Sequence, residues 1–210
     1  MQANKSGPAN TFSVLNIYKD LFMSLIVGTD FFTVEVLTLR GLVTYYVLFF
    51  INLESREVKI AGMTPHPNEI WMKQIARNIT MEGWGFLKNC KYLIHDRDTK
   101  FTDSFRAIIK TSDVVPLKLP ARSPNLNAFT ERWERSVKED CLSKLILFSE
   151  VSSRRVLREY LIHDHTERNH QGKNNVILFP DPLPKDNGKA SIECKESLGG
   201  VLKYCYRNAA

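Results

Sequence analysis

The sequence predicts an α/β fold in which a mixed five-stranded sheet is flanked by helices. Two observations lead to this prediction. Residues 26–61 contain three runs rich in β-branched and aromatic residues with short links between them, which is typical of an antiparallel meander. From residue 68 onward, segments with helical spacing alternate with short apolar runs, which indicates helices that cross between strands.

Each element is predicted from its local pattern. The predicted strands are residues 26–37, 42–53, 57–61, 90–94 and 114–119, and a turn containing Gly41 joins the first two. The predicted helices are residues 68–81, a segment capped by Thr102 or Asp103, residues 127–147 and residues 149–165. The sheet should therefore hold three consecutive strands at one side and two crossover strands at the other.

The chain has 210 residues, of which 43% are hydrophobic, enough for one domain with tails. We expect a weakly structured leader or short helix at residues 1–24, a core at residues 25–180 and a C-terminal tail at residues 181–210, of which residues 181–197 have the composition of a linker or loose tail. The formal net charge is +6. A basic protein attracts polyanions through counterion release, so nucleic acid is the first partner to consider.

Composition also argues against two classes of protein. The longest apolar run, residues 42–51, is half the ~20 residues that a membrane span needs, and its β-formers indicate a buried strand. The four cysteines are far apart and include no CxxC pair, which argues against a disulfide framework or a cysteine-rich zinc site. This pattern fits a reducing cytoplasm.

Asp30 lies in the middle of the first predicted strand. Alternation places it on the same face as Phe32, Val34 and Val36. A carboxylate among apolar neighbours is costly unless it is paired or bound to a metal. The alternative is a solvated aspartate at a strand edge or bulge.

Asp96 directly follows the apolar run 92–94. Ligands of sheets with helical crossovers gather beyond the carboxyl ends of the strands, so this is a favourable place for a site residue. The alternative is a charged turn with a surface pair between Arg97 and Asp98. Asp98 is also a rival ligand.

Glu131 lies near the start of the long predicted helix. An apolar stripe on this helix should face the core; its members are Phe129, Trp133, Val137 and Cys141. Glu131 faces away from that stripe, on the same side as Arg135 and Lys138. It is either a metal ligand flanked by cations or a solvated partner of Arg135.

Four segments together resemble the DDE transposases of bacterial insertion sequences and the retroviral integrases. DFFTVEV (30–36) resembles the strand with the first aspartate, and LIHDRDTKF (93–101) resembles the second-aspartate motif. SPNLNAFTERWERSVKEDCL (123–142) resembles the stretch with the glutamate, and RNHQG (168–172) resembles a motif that ends the catalytic domain. The resemblance covers roughly residues 25–180.

The resemblance implies a ribonuclease H-like fold in which Asp30, Asp96 and Glu131 hold Mg²⁺ or Mn²⁺, as two ions. The implied activity is that of a DNA transposase or integrase, namely DNA strand cleavage followed by strand transfer. DNA contacts are expected from five side chains: Lys100, Arg135, Lys138, Arg168 and His170.

The resemblance also implies partners and a location. These are transposon ends and target DNA, further copies of the chain assembled on DNA, and the bacterial cytoplasm near the nucleoid. Residues 1–24 are too few for an end-recognition domain, so either this chain is a truncated copy or a separate chain supplies that role.

Two departures leave alternatives open. The second motif reads HDRD where many relatives have Asp-Asn-Gly, and 34 residues separate Asp96 from Glu131, one fewer than is commonest. The alternatives are a hydrolytic nuclease of the same fold, or a decayed or truncated core that acts only in DNA binding or assembly.

Overall fold

The computed structural model describes residues 22–120, 127–180 and 191–208. The predicted leader, apart from residues 22–24, and the loop at Ser123, Pro124 and Asn125 lie outside these residues. The strands of the main sheet are β1 (Ile26–Thr38), β2 (Gly41–Asn52), β3 (Val58–Thr64), β4 (Tyr92–His95) and β5 (Val115–Lys118). Their order is β3-β2-β1-β4-β5, so the predicted mixed five-stranded sheet is confirmed.

The two halves of the sheet differ in strand direction. β1, β2 and β3 form an antiparallel meander, in which Val27 pairs with Asn52 at one end and Thr38 with Gly41 at the other. β4 pairs parallel with β1, and β5 pairs parallel with β4. Parallel neighbours need helical crossovers, which the sequence provides between them. The carboxyl ends of β1 and β4 consequently point the same way.

Four helices cover the sheet: α1 (Glu69–Thr80), α2 (Asp103–Lys110), α3 (Ala128–Asp140) and α4 (Ser149–Thr166). α1 and α2 pack on one face, where Val27 and Leu93 are fully buried. α3 and α4 pack on the other face. There the ring centroid of Trp133, on α3, lies 4.5 Å from that of Phe49. None of the helices in the described ranges is long and apolar enough to cross a membrane.

α3 ends earlier than its sequence pattern predicts. It stops at Asp140, and a short 3₁₀ turn at Leu142–Lys144 follows, whereas a helix through residue 147 was expected. The cause is a tertiary contact. The backbone N–H of Leu37 donates to the carbonyl of Leu147 at 2.8 Å, and Leu147 is buried. The chain must leave the helix to reach this edge of β1.

The expected loose tail is wrong for residues 191–197. Two small two-stranded sheets follow α4: β6 (Asn169–His170) with β7 (Val176–Ile177), and β8 (Ser191–Ser197) with β9 (Leu202–Asn208). Residues 181–190 lie outside the described part of the chain. Lys195 forms an ion pair of 2.6 Å with Glu167, and Leu202 is buried, which attaches the last hairpin to the end of α4.

The argument against a disulfide framework missed one disulfide bond. Cys194 and Cys205 are joined by a disulfide bond, with their Cα atoms 4.0 Å apart. The two cysteines are directly opposite each other in the β8–β9 register. The two cysteines are 11 residues apart in sequence, so their proximity can be predicted only if the β8–β9 hairpin is predicted first.

Gly28 lets α3 pack closely against β1. A Cβ atom at this position would lie 2.9 Å from Cγ2 of the buried Thr130 and 3.3 Å from Oδ1 of Asn127. We expect Gly28→Ala to lower the free energy of unfolding by roughly 1–3 kcal/mol, because α3 must shift to admit the methyl group. Urea unfolding measures this change.

Gly172→Ala is the matched control for Gly28→Ala, since its Cβ would meet only the Nη1 atom of Arg132 at 3.8 Å. Equal effects of the two substitutions would contradict the packing argument. A larger effect at Gly28 would show that close packing of α3 on β1 stabilises the fold.

Candidate functional site

Asp30 is held in place by two hydrogen bonds. Its Oδ1 accepts from the backbone N–H of Phe31 at 2.8 Å, and its Oδ2 accepts from Nδ2 of Asn127 at 3.1 Å. Asn127 immediately precedes α3 and is buried. The start of α3 is therefore tied directly to the carboxylate in the middle of β1. Asp30 lies on the predicted face, since Phe32, Val34 and Val36 are buried in the core beneath α3 and α4.

Burial and neighbouring negative charge raise the pKa of Asp30 to about 7. Burial has the largest effect, and the hydrogen bond from Phe31 opposes it. The charges of Asp96, Glu134 and Glu131 raise the pKa further, in that order. Asp96 and Glu131 thus each act electrostatically on Asp30, and Glu134 does so as well.

Asp96 follows the last residue of β4. His95 pairs with Thr29 in the parallel register, so Asp96 leaves the sheet beside Asp30. His95 itself is fully buried, its Nδ1 lies 2.7 Å from the carbonyl oxygen of Asp96, and burial lowers its pKa. A neutral His95 that donates from Nδ1 fixes the backbone at this strand end.

Asp96 and Asp98 have different partners. Oδ1 of Asp96 accepts from the backbone N–H of Asp98 at 3.0 Å. Both oxygens of Asp98 are engaged by Lys100, one by its backbone N–H at 2.8 Å and the other by its ammonium group at 2.6 Å. Asp98 is thereby neutralised, and Asp96 keeps one carboxylate oxygen free of hydrogen bonds from the described residues.

Glu131 and Glu134 occupy successive turns of α3. Glu131 is exposed, as its position opposite the buried Trp133 and Val137 predicts. Glu134 is half-buried and forms an ion pair of 2.6 Å with Lys138. Since residues three or four apart share a helix side, both glutamates lie on the side that begins at Asn127. The site prediction from sequence did not include Glu134 or Asn127. The helical spacing from Glu131 could have indicated Glu134, and Asn127 belongs to the segment 123–142 that resembles the glutamate motif.

The carboxylates do not form a closed ligand set. Across the described ranges, no three Asp, Glu, His or Cys side chains are grouped closely enough to hold a metal ion. Carboxylates that lack a cation repel one another, so convergence is expected only when a cation is present. The donor set contains carboxylate oxygens alone and carries excess negative charge, which fits a hard cation such as Mg²⁺ or Mn²⁺.

The cations predicted to contact DNA near the carboxylates differ in their availability. Arg135 is exposed on α3. Lys138 is paired with Glu134. Lys100 is paired with Asp98, and its ammonium group lies 5.3 Å from the ring centroid of Phe31. Arg135 is thus the cation of these three most available to a ligand.

Arg168 and His170 have structural contacts in the fold. Arg168 forms ion pairs with Asp140 at 2.8 Å and with the buried Asp164 at 3.6 Å. Nε2 of His170 lies 2.6 Å from the carbonyl oxygen of Asp164. These contacts join the end of α4 to α3 and to the turn after residue 170.

The fold, a mixed five-stranded sheet flanked by helices, is ribonuclease H-like and matches that of integrase and transposase catalytic cores. The catalytic core domain of HTLV-2 integrase, solved in complex with magnesium, is 11% identical with a TM-score of 0.52, covering 74% of this chain and 93% of that one. The catalytic domain of Mos1 mariner transposase is 16% identical with a TM-score of 0.52, covering 77% and 83%.

A third similar structure is the simian T-cell lymphotropic virus intasome, which is 11% identical with a TM-score of 0.52. It covers 88% of this chain and 67% of that one. No protein-family model matches the sequence, and no curated protein matches it. At these identities, the likeness is one of fold.

Proposed function

We propose that this chain is a DDE-type transposase or integrase core that cleaves DNA strands and transfers them in a metal-dependent reaction. The observation that supports this proposal most is Asp30, a half-buried carboxylate whose pKa is raised to about 7 by burial and by three neighbouring carboxylates. Folding gains nothing from such a concentration of like charge. A bound divalent cation would turn this repulsion into attraction.

The proposed ligands are Asp30, Asp96 and Glu131. Asp96 is favoured over Asp98 because Lys100 already engages both oxygens of Asp98. Glu131 is favoured over Glu134 because Lys138 already neutralises Glu134. The motif resemblance selects the same residues.

The proposed reaction has two phosphoryl transfers. Water attacks a phosphodiester at the end of the element and releases a 3′-hydroxyl, and that hydroxyl then attacks a phosphodiester of the target strand. Two bound ions would activate the attacking oxygen and stabilise the leaving oxygen. Asn127 holds Asp30 in position through its hydrogen bond. Arg135 and Lys138 would position the DNA backbone, with Lys100, Arg168 and His170 as further contacts.

The proposed partners are the transposon ends, target DNA and further copies of this chain. The net charge of +6 supports the DNA partner. An origin in a bacterial insertion sequence and a location in the bacterial cytoplasm rest on the motif resemblance alone.

A non-catalytic DNA-binding or assembly module is the second candidate. Such a module would need no closed metal-ligand set, and none is present among residues 22–120, 127–180 and 191–208. A hydrolytic nuclease of the same fold would cut DNA without joining it. Strand transfer into a target plasmid separates the nuclease from the transposase.

Thermal unfolding with and without Mn²⁺ tests the metal site without knowledge of the DNA ends. Saturating Mn²⁺ should raise the midpoint of the parent chain by several degrees, because a ligand at ~100 times its dissociation constant adds about 2.7 kcal/mol. Asp96→Asn should lose this shift.

Asp98→Asn is the matched control and should keep the Mn²⁺ shift. A shift that survives Asp96→Asn but disappears in Asp98→Asn would move the ligand assignment to Asp98. A parent chain that shows no Mn²⁺ shift even with a DNA duplex added would favour the non-catalytic module.

A further inference from the structure

A cavity of about 550 Å³ lies on another side of α3 from the carboxylates. Its walls come from α3, the end of α4, the turn after β2 and residues 169–173. Arg132, which lines it, lies about 100° around the helix from Glu131. Ile51 and Trp133 supply an apolar floor. The size is typical of a small-ligand site.

The charged lining of this cavity is unbalanced. One pair is internally neutralised: Asp164 is buried, accepts from Nε1 of Trp133 at 3.2 Å and pairs with Arg168. The remaining cations of the lining are Arg56, Arg132 and Lys173. Within the described ranges, no carboxylate forms an ion pair with any of these three cations. The cavity therefore carries surplus positive charge.

Arg56 and Arg132 approach each other at this cavity. The guanidinium carbon of Arg56 lies 3.4 Å from the ring centroid of Phe129, and that of Arg132 lies 6.0 Å from the same centroid. Burial and the charge of Arg132 lower the pKa of Arg56 to about 10. An anion between the two guanidinium groups would relieve both effects.

The backbone of Arg56 is in the left-handed region, with φ of 64°. An L-residue with a long side chain adopts this conformation at a cost of ~1 kcal/mol, and glycine or asparagine occupies it more readily. The turn after β2 thus holds arginine in a conformation that disfavours it. Its guanidinium also donates to the carbonyl of Leu53, which fixes the direction of the side chain. Strain of this kind is frequent where a side chain serves a ligand.

We infer that this cavity binds a phosphate group, with Arg56, Arg132 and Lys173 as its cationic contacts. Guanidinium groups bind phosphate oxygens through paired N–H donors, and an ammonium group adds a point charge. The phosphate could belong to a DNA strand or to a free phosphate compound. The site is independent of the proposed metal centre, since neither its residues nor its expected ligand requires a divalent ion.

Thermal unfolding with sodium pyrophosphate in the presence of EDTA tests the site, with sodium chloride at equal ionic strength as the salt reference. Pyrophosphate should raise the midpoint of the parent chain by several degrees. Arg56→Gly and Arg132→Gln should each abolish most of this shift. Arg56→Gly also relieves the left-handed strain, so its fold should be retained and the loss of binding interpretable.

Arg158→Gln is the matched control, because it removes one positive charge from an exposed arginine of α4 that does not line the cavity. It should keep the pyrophosphate shift, and so should Asp96→Asn. The inference is overturned if the parent shows no shift beyond the salt reference. It is also overturned if Arg56→Gly and Arg132→Gln shift as much as Arg158→Gln.

A fluorescent single-stranded thymidine oligonucleotide distinguishes the two sources of phosphate. If Arg132→Gln weakens oligonucleotide binding about tenfold and pyrophosphate competes with the strand, the site takes a backbone phosphate. If Arg132→Gln loses the pyrophosphate shift but binds the strand like Arg158→Gln, the ligand is a free phosphate compound. Both results support a phosphate site and assign its source.

Discussion

Glu131→Gln is expected to reduce Mn²⁺-dependent nicking of a supercoiled plasmid at least ~1000-fold, whereas Glu134→Gln should reduce it less than ~10-fold. Glutamine keeps the size of the side chain but removes the charge that a divalent cation requires. Glu131 is exposed and forms no ion pair among the described residues, so its charge is available. The charge of Glu134 is already neutralised by an ion pair of 2.6 Å with Lys138.

Glu139→Gln is the control for charge removal on the same helix, since Glu139 is exposed and is not among the carboxylates that raise the pKa of Asp30. All three variants should remain folded without metal, because glutamine keeps the size of each side chain. If Glu134→Gln loses much more nicking activity than Glu131→Gln, the third metal ligand is Glu134, one helical turn after Glu131. Equal, small losses would indicate that α3 supplies no ligand.

Much of the fold could be predicted because local pattern and tertiary structure agree there. The alternation from Phe32 to Val36 gives the buried face of β1 correctly, and with it the side on which Asp30 lies. The apolar residues change from strand spacing to helical spacing near residue 68. This change correctly predicts where the antiparallel meander ends and the helical crossovers begin. The end of α3 could not be predicted, since it depends on the hydrogen bond between Leu37 and Leu147.

For the candidate site, the sequence indicates which residues belong to it but not which of them contact one another. The hydrogen bond from Asn127 to Asp30 spans 97 positions, and no periodicity reports such a pairing. The proximity of Arg56 to Arg132 likewise depends on a turn that follows β2 and on a helix far along the chain. The engagement of Asp98 by Lys100 is local, yet only side-chain geometry reveals that it leaves Asp96 available.

Asp30→Asn should make the metal-free chain more stable at high pH while abolishing metal binding. Burial and neighbouring carboxylates raise the pKa of Asp30 to about 7 from an ordinary value of 3.8. The ionised form is therefore disfavoured in the folded state. The parent keeps its full stability below pH 4 and loses the contribution of Asp30 as the pH rises toward 7. Asparagine carries no charge and escapes this loss.

The stability difference between Asp30→Asn and the parent should grow between pH 4 and pH 7 and then level off at roughly 2–4 kcal/mol. At pH 4 the two chains should be about equally stable, because Asp30 is protonated in the folded parent and a neutral carboxyl group, like an amide, offers one carbonyl oxygen as an acceptor. Urea unfolding in EDTA across this range measures the difference, and other titrating groups cancel in the comparison.

Adding Mn²⁺ at pH 8 should reverse the order of stability. The parent should gain stability, since the cation offsets the repulsion among Asp30, Asp96, Glu131 and Glu134, whereas Asp30→Asn should gain little. A difference that stays constant with pH would mean that Asp30 is solvated and ordinary. If the difference depends on pH but Mn²⁺ does not reverse it, Asp30 is a buried carboxylate that destabilises the fold and binds no metal. That result is expected of a decayed core.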